Sequence, residues 1–388
     1  MFLIDKPFVS DFLIKTIRDK QYKIIATPEA KQLISEGGLN WISEEEAIKI
    51  IRKNPDTRLY TNSENSIAWI VKNLEFTAYP KQIQLFKNKA TFRELIKDMF
   101  PGFFYRIINY RDIAAFEPEE TNFPFVIKPV AGFFSLGVHV IHTPADWKIA
   151  QSELTDISFQ SLYPREVLDT SGFIIEEYIE GEEYAMDCYF NNFGRAVVLS
   201  IYHHKFSSGK DVSDRVYSTS EEILFRHKKE IEDFLNSVGK LAELRNFPVH
   251  VEIRIDAKGK IRPIEFNPLR FGGWCTTADL SWYAFGFNSY EYYMESKVPD
   301  WEKIFKNKDQ KIYSLVILNN NSGYKASEID YFDFKLLEKD FEKILITRKT
   351  DINKQPLFAF LFTETSMNNK EELDRILVSD LRKYIITR

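Results

Sequence analysis

The chain has 388 residues, of which 44% are hydrophobic and 28% are charged. These fractions are typical of globular proteins and exclude a largely disordered or fibrous chain. The 52 basic and 57 acidic residues give a formal net charge of −5, which argues against a protein that coats nucleic acid or an anionic membrane. At roughly 150 residues per domain, the length predicts two or three domains.

The two cysteines, Cys188 and Cys275, form neither a CxxC motif nor a disulfide framework. Asp5 and Lys6 interrupt the apolar start of the chain, which does not fit a signal peptide. No apolar run reaches the roughly 18 residues that span a bilayer. We therefore expect a cytoplasmic protein that binds neither membrane nor nucleic acid. Its high aromatic content, 15%, permits a homodimer interface.

The N-terminal region alternates short β-rich runs with helical patterns, which predicts a small α/β unit. This unit has a Rossmann-like rhythm but no GxGxxG turn. A helix is predicted at 80–97 and a strand at 103–108. The middle of the chain is rich in strands joined by short turns, which predicts antiparallel pairing; the candidates are 125–128, 138–141, 173–179, 184–190 and 196–202.

The C-terminal half begins with a long predicted helix at 221–245, followed by a hairpin at 249–267. The charged residues 300–310 are interpreted as a linker. Two apolar strands, 314–318 and 357–362, and a final helix complete the prediction.

The first candidate site is a predicted strand that ends at Lys128, followed by a loop with three small residues: Gly132, Ser135 and Gly137. Glycines let backbone N–H groups approach phosphate oxygens, and the lysine adds a positive charge. The GxxxxG spacing is that of a Walker A loop, but the Lys and Ser/Thr of that motif are missing, which excludes it. An ordinary hairpin turn with a surface lysine remains the alternative.

The second candidate is the hairpin that contains Glu252 and Glu265. A four-residue turn after Asp256 would pair that residue with Ile261 and therefore Glu252 with Glu265, and Asn267 would share their face. Like charges placed opposite each other destabilise a strand pair unless a cation lies between them. Two carboxylates and an amide oxygen suit Mg²⁺ better than zinc. The alternative is a solvated polar face of a sheet.

The third candidate is an apolar strand that ends in an acidic turn at Gly181. Backbone groups of Glu177 and Ile179 could pair with a flat heterocycle, and Glu183 could accept hydrogen bonds from sugar hydroxyls. Taken alone, the segment could also be a simple acidic turn.

Taken in chain order, which is the lysine loop, the acidic turn and then the hairpin, the three features resemble the ATP-grasp superfamily, in which two α/β subdomains hold Mg-ATP between them. Lys89, at the start of a helix, is similar to the first nucleotide-binding lysine of the family, and Lys128 is similar to the second. The segment Glu176-Glu177-Tyr-Ile179 is similar to the hinge that binds adenine. Glu183 stands at the position of the ribose ligand.

The resemblance extends to the metal-binding part of the family. Glu252, Glu265 and Asn267 are similar to its metal ligands, and the segment 265–273 is close to the family signature Glu-x-Asn-Pro-Arg-x-x-Gly. Leu269 shifts the signature arginine by one position, to Arg270.

Three basic residues are implied as catalytic by the resemblance. D-alanine-D-alanine ligases carry an arginine two residues before the first metal acid, where this chain has His250. The resemblance therefore implies Arg270 or Arg254 as the contact of the transferred phosphoryl group. It also implies that Lys205 can approach the γ-phosphate.

The resemblance implies an α/β (α+β) class with the ATP-grasp fold: an N-terminal Rossmann-like unit, a lid subdomain and a C-terminal antiparallel-sheet subdomain. The implied boundaries are 1–85 for the N-terminal unit, 86–299 for the ATP-grasp domain with its lid at about 120–188, and 300–388 for a C-terminal α/β extension.

The implied cofactors are ATP and Mg²⁺, with Mn²⁺ as a possible substitute. The implied activity is that of an ATP-dependent carboxylate-amine ligase, which joins a small-molecule or peptide carboxylate to an amine through an acyl phosphate. Two alternatives stay open: a Mg-ATP-dependent phosphotransferase, and a nucleotide-binding regulatory protein without turnover.

Covalent and zinc-type chemistry receive less support from the residues. Cys275 would need a neighbouring histidine to act as a nucleophile, and a buried free thiol is the preferred interpretation. His203 and His204 are adjacent on a predicted strand, so they point to opposite faces and cannot chelate one ion.

Overall fold

The computed structural model describes residues 1–118, 123–131, 137–155, 169–208, 213–306, 308 and 310–388. Its strands, numbered in chain order, are β1 (Phe2–Leu3), β2 (Lys23–Ile25), β3 (Asn40–Ile42), β4 (Tyr60–Thr61), β5 (Tyr105–Asn109), β6 (Phe125–Ala131), β7 (His139–Ile141), β8 (Asp169–Glu177), β9 (Glu182–Phe190), β10 (Ala196–Lys205), β11 (Val216–Thr219), β12 (Phe247–Ile255), β13 (Ile261–Pro268), β14 (Lys311–Asn319), β15 (Ile329–Phe332), β16 (Ile344–Lys349), β17 (Leu357–Ser366) and β18 (Ile385–Thr387).

The described α-helices are Asp11–Asp19, Pro28–Leu33, Glu44–Lys53, Ile67–Asn73, Tyr79–Lys87, Lys89–Ile96, Pro144–Thr155, Glu221–Leu241, Thr276–Phe285, Ser289–Glu295, Trp301–Phe305, Phe334–Glu338 and Glu371–Leu377. Hydroxyl side chains start several of them. Ser10, Thr27 and Ser43 each accept a hydrogen bond from the backbone amide three residues later. This satisfies an amide that has no partner within the helix.

The N-terminal unit is built around a parallel sheet with the strand order β3-β2-β1-β4. The predicted alternation of strands and helices is confirmed, and β1 is a strand that was not predicted. In this order β1 has β2 on one side and β4 on the other. The strand order therefore reverses direction beside β1, and the carboxyl ends of β1 and β4 lie next to each other.

A smaller antiparallel sheet has the order β5-β8-β6-β7. Helix Pro144–Thr155 covers it, and Trp147 of that helix packs against Phe116 and Phe125 in a separate apolar core. This sheet carries Lys128 on β6 and Glu176 on β8.

The largest sheet has eight strands in the order β13-β12-β9-β10-β11-β14-β17-β16, all paired antiparallel. The predicted antiparallel pairing of the middle strands is confirmed. Because β14 pairs with β11, the sheet continues into the C-terminal region without a break. The C-terminal boundary near residue 300 therefore remains a prediction.

The predicted linker at 300–310 is wrong for its first half. Residues Trp301–Phe305 form a short helix that Asp300 caps. Trp301 and Phe305 are buried and pack against Phe285 and Phe287. Charged residues dominate the composition of this segment, so the sequence pattern did not reveal that the side chains of Trp301 and Phe305 are buried.

Among the described residues, no helix is both long and apolar enough to cross a membrane.

Candidate functional site

The β12–β13 hairpin places Glu252 directly opposite Glu265, as predicted. The predicted pairing of Asp256 with Ile261 is wrong, because Ile255 pairs with Ile261 and the turn is one residue longer. A β-bulge after Glu252 compensates for this difference. Bulges are common beside functional sites because they redirect side chains.

The two opposed carboxylates are partly buried, with 27% of the Glu252 side chain and 26% of the Glu265 side chain exposed. Burial raises the pKa of Glu252, and the negative charge of Glu265 raises it further. Burial also acts on Glu265, but the nearby Lys89 and Lys87 lower its pKa overall. The Asn267 side-chain amide donates to Glu265 Oε1 at 2.7 Å, which brings all three predicted metal ligands together.

The two predicted nucleotide lysines lie near this hairpin. Lys89 starts its helix after Asn88, whose side chain caps it, and Lys89 Nζ lies 3.8 Å from Glu265 Oε2. Burial lowers the pKa of Lys89, and the positive charge of Lys128 contributes to this lowering. A lysine at a helix start and a lysine on strand β6 therefore lie near each other, with Glu265 beside Lys89.

Lys128 is held by a buried ion cluster that the sequence did not predict. Its Nζ lies 2.8 Å from Glu176 Oε2. The Arg93 guanidinium grips the same carboxylate from Nε at 2.7 Å and from Nη2 at 3.1 Å, and its Nη1 donates to the Pro263 carbonyl. Burial alone would raise the pKa of Glu176, but the two cations bring it to about 2. Its carboxylate thus positions Lys128.

Arg93 is a site residue that the sequence analysis missed. It lies four residues after Lys89, so both project from the same face of one helix. This spacing was the one signal available in the sequence. Its partner Glu176 is 83 residues away, beyond the reach of any local pattern.

The predicted adenine hinge is partly hydrogen-bonded within the protein. The Glu177 amide donates to the Phe104 carbonyl at 3.1 Å. The Ile179 carbonyl accepts from Arg254 Nη1 at 2.6 Å. Arg254 Nε also lies 3.0 Å from Glu183 Oε2. This predicted catalytic arginine therefore contacts both the predicted adenine hinge and the predicted ribose ligand.

Glu183 also contacts His204 Nδ1 at 2.8 Å. Burial alone would raise the pKa of Glu183, but His204 and Arg254 lower it overall. A cavity of about 270 Å³ opens here; its lining includes Tyr178, Gly181, Glu183, His204, Lys205 and Arg254. His203 pairs instead with Glu182, which confirms that the adjacent histidines point in different directions.

The other two predicted catalytic residues, Lys205 and Arg270, form ion pairs with carboxylates that are distant in the sequence. The Lys205 ammonium pairs with Asp374, and 44% of the Lys205 side chain is exposed. Arg270 Nη2 lies 2.6 Å from Glu64 Oε1, and Lys87 binds the other oxygen of that carboxylate. Glu64 follows β4 in the N-terminal unit and is a second site residue that the sequence analysis missed.

The Glu64 cluster allows a prediction about pH. Burial would raise the pKa of Glu64, but Lys87 and Arg270 lower it to about 2. A lowered pKa stabilises the fold above about pH 4.5, and the stabilisation is lost as the pH falls toward about 2. We expect Glu64→Gln to lower the free energy of unfolding by about 3 kcal/mol at neutral pH. Urea denaturation should show that the difference in unfolding free energy between wild type and variant shrinks between about pH 5 and pH 3. A difference that stays constant with pH would contradict the ion cluster.

His250 lies two residues before Glu252, the first predicted metal ligand. Its Nδ1 lies 2.8 Å from Asp187 Oδ1, and its Nε2 lies 3.7 Å from Glu252 Oε1. Burial disfavours the charged ring, but the hydrogen bond to Asp187 and the negative charges of Asp187 and Glu252 raise the pKa of His250 to about 9. Asp187 is fully buried, and it is a third residue that the sequence analysis did not identify.

Of the three predicted loop residues, Gly132 and Ser135 lie outside the described residues. Gly137 is described and has a left-handed backbone with φ 69°, a conformation that glycine adopts without strain. Cys275 is buried, and burial raises the pKa of its thiol to about 11. The interpretation of Cys275 as a buried thiol is confirmed.

Comparison with known proteins bears directly on this arrangement. The sequence model of the ATP-grasp domain matches residues 121–278. The chain contains an ATP-grasp domain. The match includes Lys128, Glu176, Glu252 and Glu265, whereas Lys89 precedes it. No curated protein sequence matches the chain.

The ATP-grasp fold is also found in solved structures that align over the whole chain. The L-amino acid ligase from Bacillus licheniformis has a TM-score of 0.69 at 15% identity and covers 100% of this chain and 98% of its own. N5-carboxyaminoimidazole ribonucleotide synthetase from Thermotoga maritima has a TM-score of 0.62 at 15% identity, with coverage of 100% and 98%. Biotin carboxylase from Campylobacter jejuni has a TM-score of 0.64 at 10% identity, with coverage of 100% and 91%.

Proposed function

We propose that this protein is an ATP-dependent carboxylate-amine ligase. The observation that carries the proposal is the opposed pair Glu252 and Glu265, with Lys89 beside Glu265 and Lys128 near enough for its charge to lower the pKa of Lys89. An L-amino acid ligase and a phosphoribosylglycinamide synthetase are among the proteins of similar fold, which favours a ligase over other users of ATP.

The residues fit a magnesium ion bound together with nucleotide phosphates. Mg²⁺ prefers oxygen ligands, and it is commonly held by one or two carboxylates plus phosphate oxygens. Glu252, Glu265 and Asn267 supply such a set, and a divalent cation held by them would offset both the burial and the repulsion from Glu265 that raise the pKa of Glu252. When bound, the ion would act as a Lewis acid that withdraws charge from the phosphoryl oxygens. Proteins of similar fold were solved with a β,γ-ATP analogue and with MgADP.

The lysines would hold the phosphates. Lys128 is fixed by Glu176, so its ammonium needs little reorganisation to meet a negative oxygen. Lys89 is 12% exposed, and its partial burial makes its charge act more strongly than it would in water. The hinge at Ile179 and the carboxylate of Glu183 would bind the adenosine.

The carboxylate and the amine would bind where the N-terminal sheet meets the hairpin. In open parallel sheets, ligands bind outside the carboxyl ends of strands at the point where the strand order reverses. That point lies between β1 and β4, and Glu64, after β4, contacts Arg270. A substrate carboxylate oxygen would attack the γ-phosphorus as the bond to ADP breaks. The amine would then attack the acyl carbon and displace phosphate.

A nucleotide titration tests this proposal. A non-hydrolysable ATP analogue is titrated with and without Mg²⁺ into wild type, Lys128→Ala and Glu265→Ala. We expect magnesium-dependent binding that weakens on the order of a hundredfold in each variant, since each loses a charge-assisted contact of about 2–3 kcal/mol. Lys383→Ala, which removes an exposed lysine that pairs with Asp340, serves as the control and should bind like wild type.

A survey of ADP release then tests the reaction. Pairs of the common L-amino acids are supplied with Mg-ATP, and release that requires both a carboxylate and an amine is expected. Tight nucleotide binding that neither variant weakens would place the site elsewhere. ADP formation with a stable phosphorylated product and no need for an amine would identify a phosphotransferase instead.

A further inference from the structure

The turn after the metal ligands has an unusual backbone. Trp274 has φ 56° and Cys275 has φ 59°, so two consecutive residues with side chains adopt the left-handed conformation. Residues with a Cβ are strained in this conformation. The conformation persists only where the surroundings hold it in place, and such strain is concentrated at functional sites.

Arg348, on the edge strand β16, holds this turn from the C-terminal region. Its Nη1 donates to the Trp274 carbonyl at 2.6 Å, and its Nη2 binds Asp279 Oδ2 at 2.5 Å. Asp279 Oδ1 is fixed in turn by the hydroxyls of Ser10 at 3.1 Å and Tyr290 at 3.0 Å. Both ends of the guanidinium fork are therefore bound to groups that cannot easily move.

Aromatic rings complete the surroundings of Arg348. Its guanidinium lies 5.0 Å from the centre of the Phe8 ring and 5.1 Å from that of Phe362. The Trp274 ring stacks on Phe8 at 5.7 Å. Phe8 lies in the loop that follows β1, so this aromatic face borders the proposed substrate cleft.

The buried carboxylate of Asp187 holds the other end of the same turn. The Gly272 amide donates to Asp187 Oδ1 at 2.9 Å, and this is the oxygen that binds His250. A Cβ at Gly272 would lie 2.3 Å from Thr277 Oγ1, so the backbone packs too closely here for any larger residue. The turn is therefore anchored at both ends, by Asp187 at Gly272 and by Arg348 at Trp274.

We propose that Arg348 is a positioning residue for the ligation reaction. It fixes the turn at 272–275, and this turn presents the Phe8–Trp274 face to the carboxylate and amine substrates. The inference rests on the proposed function for the identity of the substrates. Arg348 contacts neither the hinge nor the lysines, so nucleotide binding does not depend on it.

The test compares Arg348→Ala and Arg348→Lys with Arg382→Ala, which removes an arginine from an exposed pair in the same C-terminal region. The dissociation constant of the ATP analogue and the KM and kcat for the amino-acid substrates are measured for each protein. We expect both Arg348 variants to bind the analogue like wild type. Their kcat/KM for the amino acids should fall on the order of a hundredfold, mainly through KM, because a displaced Phe8–Trp274 face would misalign the substrates.

Two features separate positioning from general destabilisation. Lysine keeps a positive charge beside Asp279 and preserves the fold, but it cannot bridge Asp279 and the Trp274 carbonyl with a planar fork. Added guanidinium ion at millimolar concentration should restore activity to Arg348→Ala and leave wild type and Arg382→Ala unchanged. Unchanged KM values in both Arg348 variants, or an equal loss of nucleotide binding, would overturn the proposal.

Amide hydrogen exchange of the segment 271–277 gives a readout that does not depend on turnover. Faster exchange in Arg348→Ala but not in Arg382→Ala is expected, and unchanged exchange would overturn the role of Arg348. If wild type releases no ADP with any carboxylate and amine, the proposed function fails, and the exchange result still decides whether Arg348 holds the turn.

Discussion

Replacing Glu252 by Gln is expected to lower ATP-dependent ADP formation by about a thousandfold while making the free protein more stable. The rate falls because the cleft loses one of the two carboxylates that would hold Mg²⁺. Stability rises because the variant removes a negative charge that burial and Glu265 both disfavour. His250 keeps its bond to Asp187, so no buried cation is left without a partner.

This combination of effects distinguishes a functional residue from a structural one. ADP formation is followed with a coupled assay, and stability is followed by urea denaturation without nucleotide. Glu338→Gln, at an exposed position, is the matched control and should change neither quantity. A Glu252→Gln variant that unfolds more easily and turns over ATP normally would show that the carboxylate supports the fold alone.

Replacing Arg93 by Met is expected to have the largest effect on stability, a loss of about 3–5 kcal/mol. The substitution leaves the buried Glu176 carboxylate with Lys128 as its ion-pair partner and leaves the Pro263 carbonyl without its donor. Methionine has a similar length and fills the space, so the effect reports charge and hydrogen bonding more than packing.

The same variant should weaken nucleotide binding, although Arg93 is not among the proposed nucleotide ligands. Without Arg93, Lys128 would be the main cation that compensates the Glu176 charge. It would therefore stay paired with Glu176, and its ammonium would bind the phosphates less strongly. Urea denaturation and titration with the ATP analogue measure the two effects. The surface variant Arg382→Met should leave both unchanged. A stable Arg93→Met protein with normal nucleotide affinity would contradict the positioning role of the Arg93–Glu176 pair.

Much of the local structure could be predicted because it depends on neighbours in the chain. Alternating apolar and polar residues set the faces of the β12–β13 hairpin, and the predicted pairing of Glu252 with Glu265 is confirmed. Ser43, which precedes three glutamates, starts its helix by accepting a hydrogen bond from the Glu46 amide. The fold class was implied by the resemblance of these motifs, in their chain order, to the ATP-grasp superfamily.

Local patterns failed where the outcome depended on packing. The helix Trp301–Phe305 was interpreted as a linker because its charged residues dominate the composition, whereas its two aromatic side chains are buried by other elements. The hairpin turn was one residue longer than predicted, and a bulge restored the pairing. A bulge depends on the contacts of both strand faces, which the sequence of one hairpin does not specify.

The sequence by itself determined the residue types of the candidate site: two opposed carboxylates, an amide and two lysines at characteristic spacings. Only the tertiary structure decided how these groups are held. Arg93 meets Glu176 across 83 residues, Arg270 meets Glu64 across 206, and Arg348 meets Trp274 across 74. The physical reason is that a buried charge must find a partner, and that partner is chosen by the packing of distant elements and not by spacing along the chain.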